Sequence, residues 1–225
     1  MTLSTRLILV RHAETESTMK GHCYGSLDVD LSPVGIEHAQ WIAEHLRGVG
    51  VDAIYSSPRA RSSETAWPLA ESLAKELVID ERLREIDFGD FEGRSYERIE
   101  VEFPELFATW MKSPTEVTFP HGECFADVQT RALGAIESIL NRHSGEVVAV
   151  VTHGGVLRAL LVGTLMMSRE AAFRLDLSYG SVTIIDWLDA TPVVRVLNAT
   201  AQGVATRGGG FDVAYSRDEG VRTST

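Results

Sequence analysis

Two hydrophobic periods run along the chain. Residues 7–10 form a continuous apolar run that stops abruptly at Arg11 and His12, as expected of a strand buried on both faces of a sheet. Residues 147–151 form a second such run, which ends at Thr152-His153-Gly154-Gly155. Shorter strands are predicted over 51–55, 77–79, 181–187 and 193–197. Between the strands the spacing lengthens to that of helices. Ser32 can cap and Pro33 suits a first turn, after which Ile36, Ala39, Ile42, Ala43 and Leu46 recur at three and four residues until Gly48. Helices are also predicted over 59–75, 124–143 and 156–166, with Val128, Ala132, Ala135, Ile136 and Ile139 on one face of the middle one.

The alternation breaks after Glu85. Residues 86–123 are rich in glycine, aromatic residues and acids, and read as an inserted subdomain with two short helices, over 96–102 and 106–111, separated by Pro104. Trp41, Trp67 and Trp187 are assigned to packing, as are Phe107 and Trp110 in the insertion. Residues 1–201 thus read as one domain carrying the 86–123 insertion, and 202–225, with five glycines, as a flexible tail. Strands alternating with helices imply an α/β fold.

Composition narrows the possibilities. A chain of 225 residues can bury a sizeable core without disulfides or a structural metal. Its 21 basic against 32 acidic residues, a net charge of −11, argue against nucleic acid as a partner. Cys23 and Cys124 lie far apart, which points to a reducing cytoplasm rather than a disulfide scaffold. The first apolar run spans only four residues and none approaches membrane length, so neither a signal peptide nor a membrane partner is expected. Monomer and homodimer remain equally open.

The candidate chemistry collects at strand ends. Arg11 and His12 follow the first strand, Arg59 the second, Glu85 the third, and His153 closes the fourth. In open α/β sheets ligands sit beyond those carboxyl ends, and the helix starting after Gly154-Gly155 points its amides there. Two histidines and two arginines beside a helix N-terminus suit a compact anion such as phosphate, whose oxygens match the guanidinium fork. Arginines rather than carboxylates flank the histidines, so no divalent metal and no cofactor is expected. His22-Cys23 and His121/Cys124 match no closed zinc spacing. Arg158, within the last helix, is not assigned to catalysis.

Four segments carry a resemblance: LVRHAET at 9–15, SSPRARSSETA at 56–66, LREIDFGDFEG at 83–93 and VVTHGGVLRALL at 150–161. In this order they resemble the signatures of the histidine phosphatase superfamily, also called phosphoglycerate-mutase-like. The resemblance implies a three-layer α/β sandwich, with a mostly parallel central sheet flanked by helices and a small helical insertion over the active site. It also implies that His12 is the nucleophile and forms a phosphohistidine. Arg11, Arg59 and His153 would surround the phosphoryl oxygens, with Thr18, Tyr24, Gly25 and Gly154 as further phosphate or substrate contacts. Glu85 would be the proton donor, His12 neutral when it attacks, His153 protonated beside phosphate, and the pH profile bell-shaped. Thr18 stands where many relatives carry asparagine, and His121-Gly122-Glu123-Cys124 replaces a frequent Gly-Gly-Glu-Ser.

Three functions are consistent with this pattern. One is a metal-independent phosphomonoesterase acting on a small phosphorylated metabolite. The others are a cofactor-dependent phosphoglycerate mutase and a weakly active regulatory or binding protein. The insertion holds three cations against nine acids, a poor cradle for a highly charged substrate, which favours the phosphatase. The short insertion, the DFGDFEG segment at 87–93 and the SYGSVTIIDW and VVRVLNAT ending most resemble the α-ribazole phosphatase branch.

Overall fold

The computed structural model describes residues 4–189 and 191–201, so the 202–225 tail lies outside the described residues. A six-stranded sheet runs in the order β3-β2-β4-β1-β5-β6. Its strands are β1 (Thr5–Arg11), β2 (Ala53–Ser56), β3 (Leu77–Ile79), β4 (Val147–Thr152), β5 (Val182–Leu188) and β6 (Thr191–Ala199). The pairs β1/β4, β2/β4 and β2/β3 are parallel, whereas β5 and β6 are added antiparallel.

Helices cover both faces, which is why residues 7–10 of β1 and 147–151 of β4 are apolar without a break. Leu7 and Leu9 of β1 meet the layer formed by α5 (Phe125–Arg142) and α6 (Gly154–Thr164). The alternate residues Ile8 and Val10 meet α1 (Pro33–Leu46) and α2 (Ala60–Leu73). Successive side chains of a strand point to opposite faces, so a strand covered twice needs no polar positions. The expected three-layer α/β sandwich is the observed one. Among the described residues, no helix is long and apolar enough to cross a membrane.

The 86–123 segment contains α3 (Tyr96–Glu102) and α4 (Pro104–Lys112). It packs around a small core of its own, in which Phe91, Ile99, Val117 and Phe119 are buried against Cys23. Phe107 and Trp110 border that cluster, in keeping with a packing role. Two expectations need correction. Trp67 is 60% exposed on α2 rather than packed. Ile36 is 51% exposed, and its neighbour Gly35 occupies the buried position.

The reason for that exchange lies at the start of α1. Ser32 caps the helix by accepting from the Gly35 amide at 3.0 Å, and its hydroxyl donates to Glu14 at 2.8 Å. This draws the helix onto the loop after β1 so closely that a Cβ on Gly35 would stand 2.0 Å from the Glu14 carbonyl oxygen. Propensity and packing therefore oppose each other here. Gly35→Ala gains up to about 1 kcal/mol of helix propensity, yet overpacking costs about 1–3 kcal/mol. Urea denaturation is expected to show a net loss of stability, and a gain would mean that the contact is slack.

Candidate active site

His12 follows β1 directly and is buried, with 3% exposure. Its Nδ1 lies 2.8 Å from the Ala13 carbonyl oxygen. A carbonyl can only accept, so the proton belongs on Nδ1 and Nε2 keeps its lone pair. The backbone is fixed on both sides, since the His12 amide donates to Thr152 and its carbonyl accepts from Gly180. Burial, then the nearby guanidiniums of Arg61 and Arg11, hold the imidazole well below its ordinary pKa. The ring is thereby neutral, the state in which it can act as a nucleophile.

His153 follows β4, occupies the N-cap position of α6 and is fully buried. Its Nε2 lies 2.7 Å from the Ser57 hydroxyl and 3.3 Å from that of Ser62. The two histidine rings are 5.2 Å apart, centroid to centroid. Burial and Arg61 push His153 well below its ordinary pKa as well, with His12 adding to the effect. Desolvation and the neighbouring cations thus outweigh the hydroxyl contacts and favour the neutral ring, whereas the expectation of a protonated His153 concerns the ring beside a bound phosphate.

The guanidiniums sit around these rings. Arg11 donates to the Leu177 carbonyl at 2.5 Å and lies 3.9 Å from the centre of the Tyr179 ring. Arg59 stands at the N-cap of α2. Arg61, entirely buried, donates to the carbonyls of Tyr24, Gly25 and Leu27. The Nε atoms of all three arginines and Nδ1 of His153 are buried without a hydrogen-bond partner. An unsatisfied buried donor costs about 1–3 kcal/mol. A group of them around one space suits a ligand rich in acceptors and negative charge.

Glu85 faces this group from the third-strand side. Its two carboxylate oxygens accept from the amides of Ile86 at 3.0 Å and Gly155 at 3.1 Å. The glycines opening α6 permit the approach. A Cβ on Gly155 would lie 2.5 Å from Glu85 Oε1, and one on Gly154 would lie 3.3 Å from Arg11 Nε. The helix therefore begins at Gly154, two residues before the apolar pattern suggests. Among the described residues, no group of three or more His, Cys, Asp or Glu is placed to hold a metal ion.

The model of the histidine phosphatase superfamily (branch 1) matches residues 7–200. The chain belongs to that superfamily. It is 35% identical to phosphoserine phosphatase 1 of Hydrogenobacter thermophilus, over 87% of this chain and 92% of that one. Bacillus stearothermophilus YhfR has a similar structure, with a TM-score of 0.82 and 36% identity over 85% of this chain and 96% of its own. A putative alpha-ribazole-5'-P phosphatase from Escherichia coli superposes with a TM-score of 0.79 at 29% identity, covering 87% and 96% of the two chains. As a member of the histidine phosphatase superfamily, the protein is a phosphatase, a phosphoric monoester hydrolase acting on a small phosphorylated substrate.

The remaining expected contacts are placed less uniformly. Thr18 is exposed in a 3-10 turn over Ser17–Met19. The Tyr24 hydroxyl bonds those of Tyr179 at 2.9 Å and Thr15 at 3.1 Å. Gly25 offers close packing rather than a free amide. Its N–H is taken by the Glu92 carboxylate, and a Cβ there would stand 1.7 Å from the Ile86 carbonyl oxygen.

Sequence reasoning missed several residues that build the site. Ser57 and Arg61 both fall inside the 56–66 signature, but nothing in the local pattern shows that Arg61 turns inward. Tyr179 came into play only because the loop before β5 folds back over Arg11. Arg131 and Glu123 form a clamp behind Glu85. The Arg131 guanidinium donates to the carbonyls of Arg82, Arg84 and Glu85, and to both Glu123 oxygens at 2.8 and 2.9 Å. Glu123 in turn accepts from the Asp87 amide. The segment presenting Glu85 is thus fixed from both ends by one ion pair, and Arg131 holds Glu123 below the usual carboxylate range despite burial.

The two buried histidines make a pH prediction. Their folded pKa values lie below the unfolded value of about 6.5, so the unfolded chain binds more protons in acid. Their contribution is therefore intact above about pH 6.5 and is lost as the pH falls below it. Together they approach about 2.7 kcal/mol per pH unit. Denaturant unfolding at pH 7 and pH 5.5 is expected to show this loss, with a weaker slope in His153→Gln. An unchanged slope in the variant would mean that His153 is already protonated.

Proposed function

We propose that the protein hydrolyses a small phosphate monoester in two steps, through a phosphohistidine on His12, without a metal ion. The single observation that carries this reading is the buried His12, kept neutral by that burial, with its Nδ1 proton held by Ala13 and its Nε2 lone pair near guanidiniums whose Nε atoms have no partner. Nε2 attacks phosphorus while the ester P–O bond breaks, and protonated Glu85 gives its proton to the leaving oxygen. In the second step Glu85 takes a proton from water, the oxygen attacks phosphorus, and the P–N bond breaks to restore neutral His12. Arg11, Arg59 and His153 neutralise the transferring group, with Thr18, Tyr24 and the Gly154 amide as further contacts. Positioning and charge neutralisation are the main demands of phosphoryl transfer.

Phosphoserine and α-ribazole 5'-phosphate are the first substrates to try, because similar proteins bear those names. Glucose 6-phosphate and an aryl phosphate complete a useful panel. His12→Ala is expected to abolish turnover, and Arg59→Ala to lower it about 10²- to 10³-fold, as for loss of one preorganised donor. Activity should survive a chelator, and rapid quenching should trap an acid-labile, base-stable phosphoprotein. An acid-stable adduct or chelator-sensitive turnover would overturn the mechanism. Bisphosphate-primed isomerisation of 3-phosphoglycerate would make the protein a mutase instead.

A further inference from the structure

Arg158 is a cation that the mechanism above does not use. It lies one turn into α6, and its side chain runs back toward the helix N-terminus, as long side chains on helices do. The point where a Gly154 Cβ would stand is 3.1 Å from Arg158 Nη1 and 3.3 Å from Arg11 Nε. Two guanidiniums are therefore neighbours across a glycine. The Arg158 guanidinium sits beside the Phe173 ring, 5.2 Å from its centre, and its Nε is buried without a partner. Glu85 and Asp176 attract it, yet neither forms an ion pair with it among the described residues. Burial and the repulsion of Arg11 weigh against its charge.

Its position says which part of a ligand it would meet. Arg11 belongs to the phosphoryl side, and Glu85, against Gly155, belongs to the side of the leaving oxygen. Arg158 stands at Gly154 beside Arg11, one residue from the glycine that Glu85 meets and near enough to be attracted by Glu85. In the mechanism above the phosphoryl group already has Arg11, Arg59, His153 and the Gly154 amide. A further unpaired guanidinium on the leaving-group side calls for a second anionic group there, and the planar fork suits a carboxylate. The acidic insertion does not forbid this, because Glu92, Glu102 and Glu123 are engaged by internal amides and arginines.

We propose that Arg158 is a specificity-determining residue that pairs with a carboxylate on the leaving group of the phosphate monoester. The inference rests on the phosphatase reading and adds a substrate class to it, namely phosphate monoesters of small hydroxy or amino acids.

O-phosphoserine and O-phosphoethanolamine make the test, since they differ only in the carboxylate. The wild type should favour phosphoserine in kcat/KM. Arg158→Met should reduce that preference about 10- to 100-fold, the worth of a charge-assisted hydrogen bond of about 1.5–3 kcal/mol. Arg158→Lys, which keeps charge but loses the fork, should fall between the two and guards against misfolding of the methionine variant. An equal fall on both substrates would make Arg158 a support for Arg11 and overturn the proposal. So would a wild type that does not distinguish them, or variants with an unaltered ratio. Hydrolysis of p-nitrophenyl phosphate separates the two readings: if the wild type lacks it, the phosphatase mechanism itself fails and this proposal falls with it.

Discussion

At the carboxyl edge of the sheet Arg61 is fully buried and Arg11 and Arg59 are half-buried with their Nε atoms out of water, and no carboxylate among the described residues forms an ion pair with any of them. Two buried histidines share the same space. Removing a cation from water is expensive unless an anion compensates it, and the molecule meets part of that cost with dipoles. Carbonyls of Tyr24, Gly25, Leu27 and Leu177 accept from Arg61 and Arg11, the Tyr179 ring lies against Arg11, and both imidazoles give up their protons. What stays unpaired defines the ligand. Burial first, and then the same cations that leave the pocket short of negative charge, keep His12 neutral, so anion binding and nucleophilicity share part of their physical origin.

Much of the surrounding scaffold follows from keeping this group in place. Gly154 and Gly155 let Arg11, Arg158 and Glu85 approach the start of α6, where side chains of any size would displace them. The Arg131–Glu123 pair locks the segment bearing Glu85, and Arg61 ties the loop at 24–27 to α2. The insertion joins this framework through Glu92, which accepts from the amides of Gly25, Ser26 and Phe88. Its acids therefore act largely as struts, and the net charge of −11 says less about the ligand than the unpaired arginines do.

The sheet was legible in the sequence because β1 and β4 are covered on both faces, leaving unbroken apolar runs whose ends announce Arg11, His12 and His153. The helix faces were equally readable on α5, where Val128, Ala132, Ala135, Ile136 and Ile139 are all buried or nearly so. Ile36 and Trp67 were misread for a common reason: periodicity marks a face but not how closely a neighbour approaches, and at α1 the backbone of Glu14 admits only glycine. The site divides in the same way. Residues at strand ends stand where topology puts them. Arg61, Ser57, Tyr179 and Arg131 reach it through rotamer and loop path, which leave no period in a sequence.

Binding and chemistry both require one anion-binding space in line with Nε2 of His12. A crystal structure with orthovanadate, which adopts the trigonal-bipyramidal geometry of phosphoryl transfer, tests it most directly. A vanadium–Nε2 bond at His12 is expected, with equatorial oxygens against Arg11, Arg59 and His153 and the remaining apical oxygen toward Glu85. Vanadate bound elsewhere, or held in the pocket with His12 turned away and no bond to Nε2, would contradict it.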